Sequence, residues 1–272
     1  WRNRQFESAD PLRQPLPKPN MVTQRIPIGP VVVIGACNFP FAISVVGTDT
    51  ISALAVGCPV IVKSHPEHAQ TCQSIADLVK EAIEENNSPE YCFQLVHGQD
   101  HLVTRSLVQD PNASCIAFTG SLVGGQALSK LVAERPSPIP FHAEMGSLNA
   151  VFALPRAIGA DVPKLARNYL NAVNLFAGQM CTKPGAFILM EDSSTPAFLD
   201  EISEEIRRQR VLPLLNHSVY LNYLETTDAL AKKMEVIGST VIDEREIKNP
   251  GNIRIFTMPA KEFMESPETR TE

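Results

Sequence analysis

The sequence has no C-x-x-C pair and no histidine set at ligand spacing. Its six cysteines, at 37, 58, 72, 92, 115 and 181, therefore support neither a zinc site nor a disulfide framework. No metal is expected, and a reducing compartment, the cytoplasm or an organelle interior, is the expected location. A basic stretch is also missing: the 24 Lys and Arg are scattered among 30 Asp and Glu for a net charge of −6, which removes nucleic acid from the expected partners. Residues 26–48 run without a charge and are long enough to cross a bilayer, but Pro27, Pro30, Pro40, Gly29, Gly35 and Gly47 interrupt them. A helix so broken leaves backbone groups unpaired in lipid, so the segment reads as a buried strand plus a loop and no membrane partner is expected. The first twenty residues carry prolines and charges but no apolar core of a secretory signal. A chain that opens on Trp1 is expected to have lost its native beginning. No internal repeat or low-complexity segment is present.

What remains is ordinary globular composition: 272 residues, 44% of them hydrophobic, with room for about two domains. Short β-branched runs at Val31–Ile34, residues 60–62, Phe93–Val96 and residues 115–118 predict strands. Between them, residues 67–85 place Ala69, Cys72, Ile75, Ala76, Leu78, Val79 and Ile83 on one helical stripe, and residues 126–134 predict a second helix. Parallel neighbours need a crossover connection, so strand-helix-strand repetition implies an α/β fold with a Rossmann-like parallel sheet covered by helices on both faces. Such sheets bind nucleotides at the carboxyl ends of their strands. A second unit begins near Gly146, with a strand at 150–154, a helix at 161–176 and a strand at 186–190; the tail past Asp243 offers one good strand, 253–257.

The sharpest chemical signal is Gly178-Gln179-Met180-Cys181-Thr182. A cysteine on a turn after a helix can meet backbone N–H groups that lower its pKa and stabilise an oxyanion. Taken alone, Cys181 reads more readily as a buried structural cysteine, and its spacing does not lift it above that reading. The pentapeptide, however, resembles the Gly-Gln-x-Cys-Thr nucleophile motif of the aldehyde dehydrogenase superfamily, and three further segments follow that family's order. These are Ala36-Cys37-Asn38-Phe39-Pro40, Phe118-Thr119-Gly120-Ser121 with Gly125 beyond it, and Ala143-Glu144-Met145-Gly146-Ser147, which is similar to Glu-Leu-Gly-Gly.

The resemblance implies an NAD(P)-dependent oxidation of an aldehyde to a carboxylic acid. Cys181 is then the nucleophile, Asn38 the oxyanion-hole amide and Glu144 the general base that hydrolyses the thioester. Lys63, Ser64, Gly120, Ser121 and Gly125 are the cofactor-binding positions, the cofactor being NADP or NAD. The implied architecture is the aldehyde dehydrogenase fold, with a cofactor-binding domain at 1–147 and a catalytic domain at 148–272 that lacks its C-terminal part. The implied partners are a small-molecule aldehyde and, for the full-length protein, further copies of itself. Position 66, where NAD-preferring members place a glutamate, is Pro66, which favours NADP unless Glu67 folds back to replace it.

Two departures qualify the match. Ala36-Cys37 stand where many members have Pro-Trp, and Glu-Met-Gly-Ser replaces Glu-Leu-Gly-Gly; with Phe39-Pro40-Phe41-Ala42 and Cys181-Thr182-Lys183-Pro184-Gly185, these resemble the branch that oxidises 2-oxoglutarate semialdehyde (2,5-dioxopentanoate) or, with NADP, fatty aldehydes. The family's Glu-x-Phe-Gly-Pro segment is missing, so the chain is expected to be a fragment. Two other readings remain beside this one. A coenzyme A-acylating dehydrogenase usually lacks the carboxylate that Glu144 supplies, and a non-catalytic member of the family would have no need to keep Asn38, Glu144 and Cys181 together.

Overall fold

The computed structural model describes residues 4–241 and 247–269, so the start of the charged tail near Asp243 lies outside the described residues. The chain divides into two compact units, residues 1–145 and 146–272.

The first unit opens with a two-stranded antiparallel sheet, β1 (Arg4–Glu7) on β2 (Met21–Gln24). Its centre is a five-stranded sheet of β3 (Val31–Ile34), β4 (Val60–Lys63), β5 (Phe93–Val96), β6 (Cys115–Gly120) and β7 (Phe141–Met145). The strand order is β5-β4-β3-β6-β7 and every pairing is parallel. The alternation of side chains along β3 divides the core. Val31 and Val33 join Val60, Val62, Cys115 and Ala117 on one face, under Ala53, Cys72, Ile75 and Ala76. Val32 and Ile34 join Ile116 and Phe118 on the other, under Val108, Leu128 and Val132. A strand buried on both faces must be apolar throughout, which is why four β-branched residues in a row form β3.

The covering helices follow in chain order: α1 (Pro40–Ile43), α2 (Thr48–Ala55), α3 (Ala69–Glu85), α4 (His101–Gln109) and α5 (Leu122–Ala133). The helix expected at 67–85 starts at Ala69, after a short 3-10 turn, Pro66–His68, and Leu78, counted on its apolar stripe, is exposed because it lies on the side of the helix away from Cys72, Ile75 and Ala76. The helix expected at 126–134 starts earlier, at Leu122: Ser121 caps it by accepting from the Gly124 N–H at 3.1 Å, so Gly124 and Gly125 lie inside the helix instead of breaking it.

In the second unit β8 (Ala150–Ala153) pairs parallel with β9 (Ala186–Leu189). Helices α6 (Pro155–Ala160), α7 (Val162–Asn174) and α8 (Thr195–Glu205) pack Ile158, Ala166, Leu170, Phe198 and Ile202 against Ala153, Phe187 and Leu189. Helix α9 (His217–Leu230) follows, capped by Asn216. The helix expected to reach residue 176 stops at Asn174 because Phe176 and Ala177 take left-handed backbone angles. In the tail, Arg254–Thr257 pairs antiparallel with Glu235–Ser239, so the single expected strand has a partner.

Candidate active site

In a parallel sheet all carboxyl ends lie on one side. The loops after β3, β4 and β6, which carry Asn38, Lys63-Ser64 and Gly120-Ser121, therefore gather at one end of the first unit. The chain leaves β3 for β4 and β5 on one side, then returns to β6 on the other, so the direction of winding reverses between the ends of β3 and β6. A crevice at that reversal is where open α/β sheets hold nucleotides.

The loop after β3 turns back closely on itself. A Cβ on Gly35 would fall 2.3 Å from the Ile43 carbonyl oxygen, so only glycine admits this return. Asn38 lies in this loop, half-buried, with Phe39 and Phe41 exposed beyond it. Cys37 has its thiol pushed up by burial, an effect to which the Glu67 carboxylate adds and a backbone hydrogen bond is opposed.

At the end of β4, Lys63 is only 8% exposed, and burial lowers its pKa against the opposing pull of Asp100 and Cys72. Ser64 is buried, its hydroxyl 2.8 Å from His97 Nδ1, while His97 Nε2 lies 2.8 Å from Gln73 Oε1. The Ser64 side chain is thus turned inward and Lys63 supplies the charge. His65 stacks on His68 at 5.4 Å between ring centroids, and its pKa is lowered by burial, then by His68 and Lys63, with Glu67 opposed. None of these histidine contacts was signalled by the motifs; three histidines close to the end of one strand and of its neighbour were the available hint.

After β6, Ser121 and the first turn of α5 stand exposed; the Ser121 hydroxyl takes the Gly124 N–H, which leaves those of Leu122 and Val123 as the donors of the helix start. Gly125 has a different part. It is buried, and a Cβ there would lie 2.1 Å from Met145 Sδ, so its bareness serves the packing of α5 on β7.

Glu144 lies on β7, the edge strand, with its side chain on the exposed face. Its charge is felt by Asp49 in the first turn of α2, whose carboxyl is pushed up by burial and by Glu144 and held down by His142. Asp49 is a neighbour that no motif indicated.

In the second unit, Cys181 is the exposed cysteine; the other five are buried or half-buried, and all six are free. The approach to it is unusual. Phe176 (φ 52°), Ala177 (φ 57°) and Gly178 (φ 73°) are consecutive left-handed residues, which for the two non-glycines stores strain of roughly 1–3 kcal/mol each. Met180–Lys183 then forms a turn closed by the Lys183 N–H on the Met180 carbonyl at 3.0 Å. Gln179 anchors the loop by donating to the Phe176 carbonyl at 3.1 Å and accepting from the Leu215 N–H at 2.9 Å. The Cys181 carbonyl accepts from the Ser147 hydroxyl and from Asn149 Nδ2, the latter at 2.8 Å, and the same amide reaches the Lys183 carbonyl at 2.8 Å. No cluster able to hold a metal ion occurs among the described residues, nor is any described helix long and apolar enough to cross a membrane.

The chain is similar to known proteins along most of its length. Residues 4–260 match the family model described as "Aldehyde dehydrogenase family". An alpha-ketoglutaric semialdehyde dehydrogenase from Acinetobacter baylyi is 38% identical over 225 residues, covering 83% of this chain and 42% of the relative. A second protein of that name, from Azospirillum brasilense, is 33% identical over 264 residues, covering 96% of this chain and 50% of the relative. The chain therefore spans about half the length of these relatives. Among solved structures, an oxidoreductase from Marinobacter aquaeolei superposes with a TM-score of 0.69 over 99% of this chain and 55% of its own, at 20% identity, a likeness of fold. With the family model running through both units and two relatives above 30% identity, the chain belongs to the aldehyde dehydrogenase family.

Proposed function

We propose that the whole protein oxidises an aldehyde to its carboxylic acid with NADP or NAD, through a covalent intermediate on Cys181. The observation that carries this is the exposure of Cys181, alone among six cysteines, on a turn held by side chains on both flanks. Residues 1–147 form the cofactor-binding domain and 148–272 part of the catalytic domain.

The residues at the sheet's carboxyl end fit a dinucleotide. Lys63 is a buried cation at the end of β4, and the exposed first turn of α5, after Gly120 and Ser121, offers N–H groups to a pyrophosphate. When bound, the cofactor accepts the electron pair and hydrogen that leave the aldehyde carbon. The Cys181 thiolate attacks that carbon, and the resulting alkoxide is stabilised by the Asn38 amide and the Cys181 N–H, each donor of this kind being worth ~3 kcal/mol. The thioester left on Cys181 is hydrolysed by a water from which Glu144 removes the proton. The names of the relatives make a semialdehyde of 2-oxoglutarate the favoured substrate. Six free cysteines suit the reducing cytoplasm, and the full-length protein is expected to be a homo-oligomer.

The test is pre-steady-state turnover of the full-length protein. Glu144→Gln is expected to release one equivalent of reduced cofactor per site and then stall, and Cys181→Ser to release none. Steady turnover near the wild-type rate in either variant overturns the assignment. Formation of an acyl thioester on adding coenzyme A would identify the acylating class instead.

A further inference from the structure

The turn that presents Cys181 has a second conformation open to it. In a β-turn closed by its first and fourth residues, the peptide between the two central residues takes no part in the closing bond and can turn over, converting type I to type II. Here the central residues are Cys181 and Thr182. The type II form requires positive φ at the second of them; Thr182 is not among the residues with positive φ, so the turn has the type I sense. A β-branched residue at that position opposes the other form.

The carbonyl of this same peptide is the one that Ser147 and Asn149 hold, and Asn149 also bridges to the Lys183 carbonyl. In a trans peptide C=O and N–H point in opposite directions. Holding the Cys181 carbonyl therefore holds the Thr182 N–H on the other side of the turn, and it fixes the direction of the peptide dipole next to the residue that carries the thiol. Ser147 also explains a departure from the family pattern: it stands at the second glycine of Glu-Leu-Gly-Gly, where a hydroxyl is an added donor.

We propose that Ser147 and Asn149 are positioning residues for the nucleophile, which hold the Cys181–Thr182 peptide in one of its two orientations and so fix which end of its dipole, C=O or N–H, faces each side of the turn that carries the thiol. The proposal rests on the reading of Cys181 as nucleophile. Both side chains are at or near the surface, where a hydrogen bond is worth least, so the effect of losing one is modest and that of losing both is larger.

The experiment measures, in the full-length protein, the burst rate of reduced cofactor and the rate of Cys181 alkylation by iodoacetamide as a function of pH, followed by peptide mass spectrometry. Ser147→Ala or Asn149→Ala is expected to slow both by roughly threefold to tenfold and the double variant by more. Ser147→Thr, which keeps the hydroxyl, is expected to stay near wild type. Thr182→Gly, which removes the opposition to positive φ, is expected to slow both as well. Melting temperature and KM for the aldehyde are expected to move little, because the bonds orient one peptide. A double variant with unchanged burst and alkylation rates overturns the proposal, provided Cys181→Ser is dead. Turnover retained by Cys181→Ser removes the nucleophile reading and the proposal together.

Discussion

Gly125 and Met145 are packed so closely that a Cβ on the glycine would lie 2.1 Å from the methionine Sδ and 2.2 Å from its Cγ. Two segments that resemble catalytic and cofactor motifs are therefore tied by packing: α5 lies on β7 only because one side of the contact has no side chain. Gly125→Ala gains about 1 kcal/mol of helix propensity but incurs an overpacking cost of ~1–3 kcal/mol. We expect net destabilisation of about 1 kcal/mol in urea unfolding, relieved when Met145→Ala is added. A single variant as stable as wild type would show that the thioether moves aside without cost.

Arg135 is buried and donates to the carbonyls of Val108, Asp110 and Ala113, at 2.5, 2.8 and 3.0 Å. The guanidinium thereby closes the loop from α4 to β6 against the end of α5. Arg135→Ala leaves those acceptors with less than their share of donors and is expected to cost roughly 3 kcal/mol or more. Arg135→Lys, with a single ammonium in place of a planar fork, is expected to fall between. Unfolding midpoints of both variants check this.

His65 gives a pH dependence with a definite sign. Its folded-state pKa lies below the ordinary imidazole value of about 6.5, so the unfolded chain takes up the proton first as pH falls. Its contribution to stability is complete above about pH 6.5 and is lost as pH drops through the window beneath. Thermal unfolding between pH 7 and pH 5 should show a steeper fall for wild type than for His65→Gln. Equal slopes would mean that His65 titrates normally.

Cofactor choice is expected to favour NADP at least equally with NAD. On the family resemblance, Pro66 occupies the position at which NAD-preferring members place a ribose-binding carboxylate that would repel a 2′-phosphate, and Lys63, three residues before it, is a buried cation. The opposing feature is Glu67, whose charge reaches both Cys37 and His65. Lys63→Ala should weaken NADP binding at least tenfold more than NAD binding, as befits a charge-assisted contact. Equilibrium binding of both cofactors to the full-length protein measures this; a tenfold preference of wild type for NAD would assign the decisive role to Glu67.

The central strands were legible because burial on both faces demands unbroken β-branched runs, as in Val31–Ile34 and at Val60, Ile61 and Val62. Helix α3 was legible from its stripe. Strand β7 was not, since five alternating residues, Phe141–Met145, are too few to stand out beside the Glu144 motif they contain, and α2 was not, since eight residues with Asp49 as their one charge show barely two turns of a helical period. The start of α5 was displaced because Gly124 and Gly125 look like breakers, whereas Gly125 is required by Met145 across the interface. At the site, Cys181, Glu144 and Asn38 came from motifs. Ser147 stood in the Glu144 motif only as a departure from it and Asn149 in none, because a side chain that holds a backbone carbonyl more than thirty positions away leaves no spacing pattern.

The strand order also bears on how the chain acquires its shape. Strands β3, β4 and β5 pair successively, each joined to the next by a local crossover, whereas β3 meets β6 only after α2, α3, α4 and two strands have been made. Closing that longer loop costs more chain entropy before any contact repays it. The β3-β4-β5 half is thus expected to dominate the folding nucleus, with β6 and β7 docking later, so that Val62→Ala slows refolding while Ile116→Ala chiefly hastens unfolding in stopped-flow chevrons.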